Sequence, residues 1–146
     1  VWLGLQVLRE YANADDWVLV HDAARPCVQV SDIETLITAV VPSFVGGLLG
    51  VPVTDTIKIA DQELTTRQTM DRTVLWHAQT PQMFQFSILC AALEAVSQEF
   101  ESISDESAAV EKLGLNPLII QSTQSNIKIT SSHDLRLAEL LLDERP

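Results

Sequence analysis

Asp22 and Arg25 lie three residues apart in the run Val18-Leu19-Val20-His21-Asp22-Ala23-Ala24-Arg25-Pro26. A carboxylate in such a place can meet a metal ion or a hydroxyl group. A guanidinium can grip a phosphate through two parallel hydrogen bonds. The apolar residues before the pair read as a buried strand. Pro26 fixes φ and has no amide proton, so the ladder cannot continue through it. The pair is therefore delivered to the carboxyl end of a strand, the edge where open α/β sheets bind ligands. The same two residues also permit a plain strand-end ion pair. The small Ala23 and Ala24 allow the backbone to approach a ligand closely. A second cation, in an unusual setting, is Lys128, which stands between Ile127 and Ile129.

The elements that must position these groups follow from periodicity. Helical spacing of Val1, Leu5, Leu8 and Tyr11 predicts a helix over 1–12, and a polar turn follows at 13–16. A short strand covers 17–20. Ser31 and Glu34 form a capping-box pattern ahead of the stripe Ile33, Leu36, Ile37 and Val40. A central strand is expected at 47–53. Residues 54–59 continue extended and 61–69 are polar and turn-like. This segment has little to bury by itself, so residues 53–72 read as a protruding arm. Residues 75–84 look strand-like, but Pro81 makes that strand irregular or places it at an edge. An amphipathic helix over 86–100 carries Leu89, Leu93, Val96 and Phe100 on one side. Ser104-Asp105-Glu106 starts another helix, with Ser104 as N-cap candidate and two first-turn acids, and Gly114 ends it. A strand at 116–121 and a last helix capped by Ser131 or Ser132 complete the chain. Alternation of strands and helices predicts an α/β fold: one domain over 1–146, a mainly parallel sheet with helices on both faces, and the arm.

Composition narrows the function classes. The chain has 146 residues, 47% of them hydrophobic, enough for one useful core. No apolar run approaches the roughly 20 residues that span a bilayer, so no membrane partner is expected. A formal net charge of −11 argues against nucleic acid as a partner. Any anionic substrate must find a local basic cluster against that global field. Cys27 and Cys90 have neither metal-site spacing nor a disulfide framework, which predicts a reducing, cytoplasmic setting.

Four blocks carry a resemblance. They are the HDAARP run after its strand; Val51-Pro52-Val53-Thr54-Asp55-Thr56-Ile57-Lys58; Asp71-Arg72-Thr73-Val74-Leu75-Trp76-His77-Ala78-Gln79-Thr80-Pro81-Gln82-Met83-Phe84; and Asn126-Ile127-Lys128-Ile129-Thr130. In this order and spacing the chain resembles the 2-C-methyl-D-erythritol 4-phosphate cytidylyltransferases, over essentially its whole length. The resemblance implies a Rossmann-like fold of the nucleotide-diphospho-sugar transferase kind. It also implies transfer of CMP from CTP to methylerythritol phosphate in non-mevalonate isoprenoid synthesis. That chemistry needs two anions brought in line with their charge neutralised. Mg2+ or another divalent cation normally shares the task, held by oxygen ligands.

Residue by residue, the resemblance makes Asp22, Arg72 and Lys128 the catalytic candidates, with Asp22 on the metal. Asp22, Ala23, Arg25, Thr56, Arg72, Thr80 and Lys128 are the substrate-binding candidates. Lys128 would position the attacking phosphate. Arg72, which could otherwise form a surface pair with Asp71, would reach the sugar phosphate from a partner subunit across a homodimer interface made by the arm. Arg25 would hold a phosphate or fix the neighbouring loop. His21 reads as structural, because a phosphate nucleophile is already ionised and needs no base. Ser104 stands where the family usually has threonine, and Thr54 where some relatives have arginine.

The family's Gly-rich, arginine-bearing phosphate loop has no counterpart here. Gly46 and Gly47 precede a strand instead of following one. The chain also starts at Val1 inside a helical pattern. It reads as the carboxyl-terminal part of a longer enzyme, amino-terminally incomplete. Alternatives are a ribitol-phosphate or other alditol-phosphate cytidylyltransferase, an incompetent fragment that only dimerises and binds sugar phosphate, or part of a fusion with another pathway enzyme.

Overall fold

The computed structural model describes residues 1–97 and 103–144. Helix α1 (Trp2–Leu8) leads through a turn, closed by the Asn13 N–H on the Asp16 carboxylate, into strand β1 (Trp17–Val20). Helix α2 (Val30–Val40) follows, then strand β2 (Gly46–Pro52). A small hairpin is formed by β3 (Lys58–Ala60) and β4 (Thr66–Thr69). Next come β5 (Trp76–Gln85), α3 (Phe86–Ala95), α4 (Glu106–Lys112), β6 (Leu118–Gln121) and α5 (Ser132–Asp143).

The main sheet has the order β1-β5-β2-β6. β5 runs antiparallel to both β1 and β2, while β2 and β6 are parallel. Three strands thus point one way and β5 points the other, which makes the sheet mixed. The expectation for Pro81 is half corrected. Its strand is central, not at an edge, but the irregularity is there. Leu48 pairs with Gln82 and Gly50 with Ala78, so the register jumps across Pro81 and no ladder bond is asked of its missing N–H. The Thr80–Pro81 peptide is cis. β1 is less buried than its apolar sequence suggests, because it lies at the margin of the described sheet and half exposes Leu19.

Each face of the sheet is covered. Adjacent strand residues point to opposite sides, and Met83 and Phe84 show it. Met83 packs with Leu36, Val40, Leu49 and Ile120 beneath α2. Phe84 packs with Leu5, Leu89, Leu93 and Val110 beneath α1, α3 and α4. Each such side chain contributes about 2 kcal/mol by leaving water. Gly46 has φ +118°, and a Cβ there would meet the Met83 carbonyl at 2.3 Å, so only glycine lets β2 lie this close to β5.

Helix ends differ from the sequence expectation in four helices, of which α1 ends at Leu8 instead of reaching 12. α2 begins two residues early, with Gln29 as cap in place of Ser31, and Ser31 makes no capping bond. Asp32 instead turns to Ser122 and Thr123 at the end of β6. At α4 the cap is Asp105, not Ser104, because the Asp105 carboxylate reaches the Ala108 N–H, leaving Glu106 as the only acid of the first turn. α5 has the expected cap at Ser131, completed into a reciprocal box by Asp134. α3 ends at Ala95, short of the predicted span, and Phe100 lies outside the described residues. The arm forms as the β3–β4 hairpin, with every strand residue exposed.

Candidate functional site

The carboxyl end of β1, the first half of β5, the start of α4 and the segment after β6 enclose a cleft of about 490 Å3. His21, Asp22, Arg25, Thr80 and Lys128 all line it, so four of the predicted site residues are brought together from three distant stretches of sequence.

Asp22 is held from three sides. Its N–H donates to Thr80 Oγ1 at 2.9 Å, and its Oδ1 accepts from the Ala24 N–H at 3.0 Å. Its Oδ2 meets the Lys128 ammonium at 2.7 Å. Asn, Asp and Ser side chains commonly fold back on backbone amides in this way at turns. The Lys128 bond, followed by the Ala24 amide, holds the Asp22 carboxyl below its ordinary value. Lys128 itself remains half exposed, with its charge on the cleft wall.

Thr80 and His21 close a ring. Thr80 Oγ1 lies 3.0 Å from His21 Nδ1, and His21 Nε2 lies 3.1 Å from the Arg25 carbonyl. A carbonyl only accepts, so Nε2 carries the proton and Nδ1 accepts from Thr80. The Arg25 N–H returns to the Asp22 carbonyl at 2.9 Å. His21 thereby stiffens the turn that bears Asp22, in keeping with its structural reading. Ala23 sits at the exposed tip of that turn.

Arg25 points inward. Its Nη1 donates to the Asn126 carbonyl at 2.7 Å and Nη2 to the Ala78 carbonyl at 3.5 Å. Burial pushes its guanidinium down from its ordinary value, and the Asp22 charge opposes that push. Of the two duties foreseen for Arg25, this geometry matches the loop-fixing one.

Arg72 and Thr56 are not in the cleft. Both belong to the arm, where Arg72 Nη1 donates to the Thr54 carbonyl at 2.7 Å and Thr56 is exposed in the turn before β3. The sequence reading missed three buried polar groups behind the cleft. Asn126 links Gln79 to the Thr80 carbonyl. Gln82 donates to Asp105 at 2.8 Å and accepts from the Ser107 N–H at 2.8 Å. Gln79 and Gln82, in a strand that runs into the core at Met83 and Phe84, were the available signal, since buried amides need partners.

Among the described residues no three His, Cys, Asp or Glu side chains gather as a metal cage. Magnesium does not require one. It binds through one or two carboxylates plus substrate phosphates. Asp22, a partly buried carboxylate on the cleft wall with lone pairs beyond its two contacts, fits that mode.

Comparisons with known proteins identify the family. A family model described as IspD, 2-C-methyl-D-erythritol 4-phosphate cytidylyltransferase, matches residues 1–144. A protein of that name from Aliivibrio fischeri strain MJ11 is 48% identical over 141 residues, covering 97% of this chain and 59% of the relative. Another from Chromobacterium violaceum is 49% identical over 131 residues, covering 90% of this chain and 57% of the relative. Among solved structures, a 4-diphosphocytidyl-2C-methyl-D-erythritol synthase superposes with a TM-score of 0.86 at 43% identity, over 97% of this chain and 64% of that one. The Francisella tularensis 2-C-methyl-D-erythritol 4-phosphate cytidylyltransferase gives 0.88 at 34% identity, over 96% of this chain and 65% of that one. The chain thus spans under two thirds of the length of these relatives.

Proposed function

Since this chain belongs to the 2-C-methyl-D-erythritol 4-phosphate cytidylyltransferase family, we propose that the protein carrying it transfers CMP from CTP to methylerythritol phosphate. A phosphate oxygen of methylerythritol phosphate bonds to the α-phosphorus of CTP. The bond from that phosphorus to the bridging oxygen breaks, and pyrophosphate leaves with the electron pair. CDP-methylerythritol is the product, within non-mevalonate isoprenoid synthesis.

The observation that carries this reading is the Asp22–Lys128 pair at 2.7 Å on the cleft wall. A lysine fixed there gives an anionic phosphate a landing point in a chain of net charge −11. Lys128 draws the attacking phosphate toward the cleft, and Asp22 keeps the ammonium aimed. Thr80 holds the Asp22 amide, and Arg25 fixes the segment bearing Lys128. Asp22 and the substrate phosphates would hold a magnesium ion, which would supply charge neutralisation at the transferring group. Arg72 and Thr56 complete the substrate site from the arm of a second copy, in a homodimer. The setting is the cytoplasm; among the described residues no helix is long and apolar enough to cross a membrane.

The 146-residue chain assayed alone is expected to be inactive. Gly46, Gly47 and Gly50 serve the β2 ladder, Gly4 lies in α1 and Gly114 follows α4, so none forms a strand–loop–helix phosphate cradle. The test is pyrophosphate release by the full-length protein with CTP and either methylerythritol phosphate or ribitol phosphate. Turnover with the former, falling about a hundredfold in Lys128→Met, is expected. A higher kcat/KM for ribitol phosphate would overturn the substrate assignment.

A further inference from the structure

We propose that Asn126 is the positioning residue that holds Lys128 in register with Asp22, an inference that rests on the cytidylyltransferase reading of the cleft. Lysine is a compact charge on a flexible four-carbon stem, so its aim depends on how firmly its backbone is held. Lys128 lies in an irregular segment after β6 and is half exposed. Something other than its own packing must place it.

Asn126 is fully buried, at 0% exposure. Its Nδ2 uses both hydrogens, one on Gln79 Oε1 at 3.2 Å and one on the Thr80 carbonyl at 2.8 Å. Thr80 is the same residue whose hydroxyl takes the Asp22 N–H. The two members of the ion pair are therefore referred to one residue of β5, the acid through the Thr80 side chain and the lysine through the Thr80 backbone. Arg25 closes the circuit by donating from the Asp22 turn to the Asn126 carbonyl. Beyond Lys128, the Ile129 N–H binds the Ala24 carbonyl at 2.8 Å. Lys128 is thus suspended between two fixed points, two residues before it and one after.

The same segment is anchored at its start by Ser122 and Thr123 on Asp32. That anchor lies farther back and does not touch the Asp22 turn. Asn126 Oδ1, by contrast, meets no protein donor. A buried acceptor left over is a cost, so the amide does not serve packing alone; its two donated bonds set the position of the segment.

The experiment uses full-length protein and Asn126→Ala. The distance from Lys128 Nζ to Asp22 Oδ2 is read from crystal structures of wild type and variant, and turnover is measured separately. In the variant the 2.7 Å contact should be lost, with Lys128 displaced from the Asp22 turn. The kcat/KM for methylerythritol phosphate should fall on the order of tenfold or more, with KM for CTP within about twofold. A folded variant that keeps the Lys128–Asp22 contact and wild-type kcat/KM would overturn the proposal. If Asn126→Ala does not fold, Gln79→Ala removes one of the two bonds and should give a smaller loss; no loss there overturns it equally. Wild-type protein without turnover would sink the cytidylyltransferase reading and leave the Lys128–Asp22 contact to decide the role of Asn126.

Discussion

The cleft and the arm are built in opposite ways. In the cleft, side chains far apart in sequence bind one another: Asp22 to Thr80 and Lys128, Arg25 to Asn126 and Ala78, Gln82 to Asp105. In the arm the side-chain bonds found among the described residues are local. Lys58 donates to Thr69, Arg67 pairs with Asp61, and Asp61 accepts the N–H groups of Glu63 and Thr65. Leu64, at 87% exposure, and Val74, at 73%, stand in solvent. The cleft holds its geometry by long-range closure within one chain. The arm holds only its own shape, and its proposed substrate groups, Arg72 and Thr56, gain a target only when another surface meets it.

That contrast predicts the largest effects. In the full-length protein, Arg72→Met and Lys128→Met should each lower turnover about a hundredfold. Mixed and allowed to exchange subunits, the two variants should recover about a quarter of wild-type activity, because half the dimers are mixed and each mixed dimer keeps one intact site. No recovery on mixing would show that the arm acts within its own subunit, or not at all.

Arg25→Met should separate the regions next. It deletes one strong and one long hydrogen bond from a charged donor and leaves two carbonyls short, a cost of about 2 kcal/mol in unfolding free energy. Arg72→Met, on the exposed arm, should change stability by less than about 0.5 kcal/mol. Urea unfolding of the two variants decides it. Equal stabilities would mean that Arg25 does not clamp the cleft.

Much of this contrast could be read beforehand. The arm was visible as a polar stretch with nothing to bury, and the strand end at Pro26 placed Asp22 where the cleft is. Of the stripe expected in the first helix only Leu5 is buried, but periodicity found α2 and α3, whose stripes are buried at Leu36 and Val40 and at Leu89 and Leu93. It could not find the direction of β5, since reversal of a central strand leaves its side-chain alternation intact, nor that Pro81 would be absorbed by a register jump against β2. Local capping rules put the start of α2 at Ser31, but Asp32 was drawn instead to Ser122, a partner 90 positions away. The role of Asn126 escaped for the same reason: its bonds span 46 and 47 positions, and nothing adjacent in sequence announces them.

The smallest effect sharpens the comparison at two carboxylates. Asp22 and Asp71 are both held below 3.8, by Lys128 and by Thr73 respectively. Each folded-state value is depressed, so each contributes stability that is present above 3.8 and is lost as pH falls through the folded value. Lys128→Met should move the Asp22 titration up toward 3.8 and leave Asp71 untouched, because the Asp71 bonds are to the hydroxyl and amide of Thr73 two residues away. The acid limb of the stability curve should flatten slightly in that variant. Raising salt should imitate part of the change at Asp22, whose partner is an exposed charge, and none of it at Asp71, whose partners are neutral. If both carboxylates moved together, the cleft and the arm would be electrostatically coupled, and the local character assigned to the arm would be wrong.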